Sequence, residues 1–284
     1  MKAETPSSTA KLIAASTILL ASEPATAHRV APGAAMWCKR LLSRSWADRL
    51  LASSAGYRPT AMVWKWLEQH TLPGILLHYW QRKRWIEARC RLAIAQGFER
   101  VIVLGAGFDT LALRLSLEMP QISWLEIDHP ATQSAKQVAL GPDAQSVQFI
   151  ACDLNADGLD GLPIFSNKAT LVIAEGVLMY LSPAAIEQLF ACLQRAPGER
   201  LQFVFSFMNQ WPDGKAGFRP RSRWVERWLA WRGEPFAWAL PEAAMADFLA
   251  ERGFEQLETA TTRQLASNPE SMLEGENLVH CQRI

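Results

Sequence analysis

Four short runs of this chain place residues able to hold a polar ligand at the ends of apolar, β-branched segments. Gly105-Ala106-Gly107 follows Val101 to Leu104; glycines here let the backbone approach a ligand closely, and the free N–H groups of a following helix face it. Leu125-Glu126-Ile127-Asp128 ends in an acid suited to accept hydrogen bonds from ribose hydroxyls, Asp128 in preference to Glu126. Ala151-Cys152-Asp153-Leu154 offers Asp153 to an adenine amino group and Leu154 to the ring. Ala174-Glu175-Gly176-Val177-Leu178-Met179-Tyr180 adds Glu175 at the same edge. It also adds Tyr180, whose hydroxyl suits either an acceptor oxygen or a partly buried core.

A dinucleotide fingerprint requires a third glycine at position 110, where this chain has Thr110. Asp109 would also put negative charge where a pyrophosphate sits. S-adenosylmethionine (SAM) has no phosphate and carries a sulfonium and an ammonium, so the loop points to SAM as cofactor. A nicotinamide-dependent oxidoreductase is the alternative from another class, and a SAM-binding protein without turnover is a third reading. Cys38, Cys90, Cys152, Cys192 and Cys281 are scattered, with no Cys-x-x-Cys pair. They imply a reducing compartment, a cytoplasmic location and no metal site.

These runs require a scaffold that brings strand ends together. From Arg100, short β-branched runs at 101–104, 122–127, 147–151, 171–174 and 201–207 alternate with helical patterns after Asp109, Pro130 and Pro183, as a parallel sheet with crossover helices demands. Upstream the chain reads as helical, ending in a long helix from Leu76 to Ala95. Downstream come an insert to about Leu240, a helix from Pro241 to Arg252, and strands near 254–258 and 278–283. The expected organisation is an N-terminal helical cap over 1–97 and a SAM-binding catalytic domain over 98–284, with an inserted lid at about 208–240.

As a set, Leu104-Gly105-Ala106-Gly107-Phe108-Asp109-Thr110, Leu125-Glu126-Ile127-Asp128-His129-Pro130, Cys152-Asp153-Leu154 and Glu175-Gly176-Val177-Leu178-Met179-Tyr180-Leu181 resemble the leucine carboxyl methyltransferase family over roughly residues 8 to 205. The resemblance implies a class I methyltransferase fold, Rossmann-like, with seven strands, mostly parallel, and an antiparallel last strand. It implies SAM as methyl donor, with contacts at Gly105, Asp128, Asp153, Leu154 and Glu175, the positions already reached from the residues; Ala106 and Gly107 complete the turn. It adds Arg82, in His78-Tyr79-Trp80-Gln81-Arg82, as the cation for the SAM carboxylate, a task suited to a planar, bidentate fork. Without the resemblance, Gln81-Arg82-Lys83-Arg84 reads as a solvated helix face. The family's N-terminal helix corresponds to the run from Ser8-Thr9-Ala10, and its N-terminal lysine loosely to Lys11. Leu111 departs from the arginine that family members often carry there.

The remaining features bear on the acceptor. With 29 basic and 28 acidic side chains, no whole-molecule field favours nucleic acid or a membrane. Between Lys215 and Arg232 six basic residues face Glu226 alone, and Trp224, Trp228 and Trp231 fall at helical spacing. This stripe reads either as a lid or patch, or as a tryptophan face packed on the domain with its arginines in water. None of the five histidines stands in a catalytic pattern. The expected reaction is methylation of a carboxylate or hydroxyl on a small molecule, with methylation of a protein's C-terminal leucine carboxylate as the alternative; no nucleic-acid or membrane partner is expected, and the oligomeric state is open. Lys2, Lys11, the run Leu12 to Ala21 and Ala25-Thr26-Ala27 also have the outline of a signal peptide, a reading disfavoured by Glu23 and Pro24.

Overall fold

The computed structural model describes residues 6–265 and 273–284; Lys2 lies outside them. Five helices precede the sheet: α1 (Ser8–Ser22), α2 (Ala34–Leu41), α3 (Trp46–Gly56), α4 (Arg58–Thr71) and α5 (Ile75–Ala95). Ser7 caps α1 by accepting the Ala10 N–H at 3.1 Å, which satisfies one of the free amides of the first turn. The apolar run that resembled a leader is the buried face of this helix: Ala14, Ala15, Ile18 and Leu19 belong to the core with residues of α2 and α5. Among the described residues no helix is long and apolar enough to cross a membrane.

The sheet has seven strands in the order β3-β2-β1-β4-β5-β7-β6: β1 (Arg100–Leu104), β2 (Ser123–Asp128), β3 (Gln148–Ala151), β4 (Thr170–Ala174), β5 (Leu201–Met208), β6 (Phe254–Ala260) and β7 (Glu276–Arg283). β1 to β5 run parallel, and β7 is antiparallel to both β5 and β6. Both faces are covered, and the side chains divide between them with period two. Val101, Val103, Leu171 and Ile173 face the layer of α1, α2, α5, α6 (Leu111–Glu118) and α7 (Pro130–Leu140). Ile102, Leu104, Val172 and Ala174 face that of α8 (Pro183–Arg195) and α10 (Met245–Ala250). On the second face Phe190 of α8 meets Phe203, Phe205, Phe248 and Phe254 edge-on at 5.2 to 5.9 Å, the favourable geometry for aromatic quadrupoles.

Chain order reverses between β1 and β4, since β1 leads outward to β2 and β3 while β4 starts the other half. The carboxyl ends of strands at such a switch point form a crevice. The turn after β1 carries Gly105, and the turn after β4 carries Glu175.

Two expectations shift. The helix expected from Pro241 begins as a 3₁₀ turn, Glu242–Ala244, before α10. β7 begins at Glu276 rather than Leu278, because polar Glu276 and Asn277 pair with the buried end of β5.

Candidate functional site

Gly105, Ala106, Gly107, Asp128, Asp153, Leu154, Glu175, Tyr180 and Arg82 all line one cavity of about 390 Å³ at the switch point. This size suits a small-molecule site. Two glycines shape its floor. Gly105 has φ +58°, and a Cβ there would lie 2.3 Å from Cγ2 of Val177 in the turn after β4. Gly107 has φ +52°, and its Cβ would come within 3.0 Å of Ala10 in α1. Neighbouring protein therefore demands both glycines, in addition to any ligand; β4's turn and the amino-terminal helix press on the loop from two sides.

The acids separate by environment. Asp128 lines the cavity: Oδ2 accepts the Gly107 N–H and Oδ1 the His129 N–H at 2.6 Å. Burial pushes its carboxyl above the ordinary value, and those two amides act in the opposite direction. Glu126, two residues back on β2 and so on the same face, lies deeper and meets Lys136 Nζ at 2.7 Å in the core. Asp153 is the more open acid; its Oδ1 accepts Asn155 N–H at 2.9 Å, and His129 Nε2 lies 3.7 Å from Oδ2.

Arg82 projects from α5 between two carboxylates. Nη1 donates to both oxygens of Glu276 at 2.7 Å, and Nε and Nη2 reach Oε1 of Glu175 at 3.0 and 2.9 Å. Of the five guanidinium N–H groups, one remains for a ligand, so the bidentate grip expected from the sequence is already taken by protein carboxylates. His78, one turn earlier on α5, contacts Glu276 Oε2 at 2.7 Å. Burial opposes the charge of Glu276, but Arg82 and then His78 hold its carboxyl down at about 2. Lys83 bridges Glu175 Oε1 at 2.9 Å and Asp109 at 3.2 Å. Burial works against its ammonium, and these two acids lift its pKa above the ordinary range. All three donor nitrogens on Glu175, two from Arg82 and one from Lys83, converge on Oε1, which leaves Oε2 for another donor such as an ammonium.

A roof closes the cavity from two distant parts of the chain. Ser7, Thr9 and Ala10 come from the start of α1, and Gly233 to Pro235 with Ala237 from the segment after α9 (Arg223–Arg232). Glu234 joins them, accepting the Thr9 hydroxyl and the Ser8 N–H at 3.3 Å. Arg232 donates to Ser8 Oγ from Nε at 2.6 Å. Tyr180 lies against Phe236, ring centroids 5.8 Å apart.

Several readings change. Lys11 pairs with Asp48 at 2.7 Å and does not line the cavity. The tryptophan face of α9 is packed only in part: Trp224 and Trp231 are 74% and 67% exposed, Trp228 is half-buried, and Leu229 supplies the buried contact. Arg219 and Arg221 are engaged by Asp213 and Glu226, so Arg223 and Arg227 form the open basic face. Lys83, Glu234 and Glu276 were not singled out in the sequence; only Lys83, beside Arg82, carried a local signal.

Residues 26–194 match the leucine carboxyl methyltransferase family. A protein of Mycobacterium sp. (strain KMS) named "Putative S-adenosyl-L-methionine-dependent methyltransferase" is 26% identical over 273 residues, which cover 87% of each chain. One of Streptomyces coelicolor, named in the same terms, is 30% identical over 186 residues, 58% of this chain and 65% of the relative. In fold, a solved structure titled as a putative methyltransferase from Thermobifida fusca is similar, with a TM-score of 0.57 at 16% identity, covering 86% of this chain and 92% of that one. Sheet order and switch-point cavity define a class I, Rossmann-like methyltransferase. The chain belongs to the leucine carboxyl methyltransferase family and is a SAM-dependent enzyme.

Proposed function

We propose that this enzyme methylates an oxygen, a carboxylate or hydroxyl of a small molecule, and that Arg82, Gly105, Ala106, Gly107, Asp128, Asp153, Leu154 and Glu175 hold SAM. The observation that carries this reading is the convergence of all eight on one roofed cavity. Bound SAM supplies an electrophilic methyl group on a sulfonium. Asp128 offers lone pairs to ribose hydroxyls, Asp153 with Leu154 takes the adenine, and Oε2 of Glu175 with the remaining Arg82 N–H takes the ammonium and carboxylate of the methionine part.

In-line displacement asks the protein to align partners and exclude water. The amino-terminal helix and the segment after α9 serve as cap and lid for that purpose. Burial pushes the Tyr180 phenol well above its ordinary value, so Tyr180 stays protonated and donates to the acceptor oxygen rather than acting as base. A carboxylate acceptor is ionised at neutral pH and needs no base.

Incubation with methyl-labelled SAM and a cell extract tests the reading. Label is expected in small molecules, on oxygen by mass spectrometry of the product, and mild base releases it as methanol where the product is an ester. Label confined to protein C-termini would replace this acceptor with the protein alternative; label on nitrogen, carbon or sulfur would reject it.

A further inference from the structure

A second cavity, of about 360 Å³, lies against the first and shares Ile13, Lys83, Phe108 and Asp109 with it. It opens between α1, the turn over residues 28–34, α2 and α5. Its interior is apolar and aromatic, with Ile13, Leu20, Val30, Trp80 and Phe108 on its walls. Its charges are unbalanced, since five Lys or Arg side chains line it against Glu87 and Asp109.

Three of the five cations are engaged. Lys83 holds Asp109 and Glu175, Arg114 holds Glu87 at 2.7 Å, and Arg91 holds Glu87 and Glu118, each at 2.8 Å. Arg29 and Arg84 have no ion pair among the described residues. Both lie over the Trp80 ring instead, at 5.1 and 5.7 Å from its centroid, and Trp80 is itself fixed by donating to the Arg29 carbonyl. Stacking on the indole orients the guanidiniums without neutralising them.

We propose that this cavity is a binding site for an organic acid with an apolar or aromatic body, its anionic group held by Arg29 and Arg84 and its body seated on Trp80, Ile13 and Phe108. A free inorganic anion would leave the apolar walls unused, and a neutral apolar ligand would leave the two indole-oriented guanidiniums to water alone. The inference stands apart from the identity of the methylated atom, because Arg29, Trp80 and Arg84, which define the site, line the second cavity and not the donor cavity.

Titration with the fluorescent aromatic sulfonate 8-anilinonaphthalene-1-sulfonate tests it. One saturable site is expected in the wild type, and it persists at saturating SAM. The double variant Arg29→Ala/Arg84→Ala weakens it by about tenfold or more, the scale of losing charge-assisted hydrogen bonds. Ala88→Trp, a substitution at an exposed position on the rim one turn after Arg84, fills the opening and blocks the probe while both arginines keep their charge. The uncharged N-phenyl-1-naphthylamine binds wild type and double variant alike. Arg223→Ala/Arg227→Ala, which removes the open basic face of α9, binds the sulfonate as wild type does. Unchanged sulfonate affinity in the double variant or in Ala88→Trp, full displacement by SAM, or an equal loss in the α9 variant would each overturn the proposal, with circular dichroism verifying that every variant is folded.

Discussion

Gly105→Ala tests the way the glycine loop is built. Two costs are visible in the geometry. A non-glycine residue at φ +58° sits in the left-handed region, at about 1–2 kcal/mol. Its Cβ would also stand 2.3 Å from Cγ2 of Val177, and forcing carbon into a packed site costs about 1–3 kcal/mol. The single variant should therefore lose about 2–5 kcal/mol in urea denaturation. Val177→Ala removes the clashing methyls at its own cost of about 1.6 kcal/mol for two buried groups. In the double variant the two methyl overlaps vanish, and the backbone strain remains with a tighter-than-usual Cβ contact at 3.2 Å. The double-mutant cycle should thus return a coupling of about 1–3 kcal/mol, far outside the scatter of independent sites. Additivity within about 0.5 kcal/mol would refute the contact and with it the account of why position 105 must be glycine.

Arg82→Ala is expected to cost up to about 3–5 kcal/mol of stability, because it leaves Glu276 with His78 alone and Glu175 with Lys83 alone in the interior; urea denaturation measures this. Asp128→Ala should instead keep the fold and weaken SAM by about tenfold or more in calorimetric titration, the loss of charge-assisted acceptors. The carboxyl of Glu276 is held at about 2 against an ordinary value of 4.5, so its ion pairs stabilise the protein above pH 4.5 and that contribution fades as pH falls from 4.5 toward 2. Urea midpoints of the wild type should accordingly drop in that window more steeply than those of Glu276→Gln; parallel profiles would exclude the network as the cause. Trp224→Ser and Trp231→Ser, at exposed positions of α9, should change stability by no more than about 0.5 kcal/mol, whereas a loss of several kcal/mol would restore the packed-face reading.

The first four strands were legible because each is an apolar run leading into a glycine or an acid, and the strand-end residues followed from that placement. Arg82 was reached only through the family resemblance, since a basic cluster on a helix has no local sign that it is buried. Its partner Glu276 lies 194 residues away on the last strand, where an isolated acid looks like a strand end in water. Ion pairs closed by tertiary topology leave no periodic trace. Glu234 escaped for the same reason, being joined to Thr9 across 225 residues. The tryptophans of α9 left two readings open for a different reason: spacing defines which residues share a face but not whether anything covers it.

Determining the structure with S-adenosylhomocysteine bound tests the central claim most directly. The ribose hydroxyls should lie within hydrogen-bonding distance of Asp128, the adenine at Asp153 and Leu154, and the amino-acid part between Glu175 and Arg82. Ligand in the second cavity, or in the first with its ribose turned away from Asp128, would contradict the assignment.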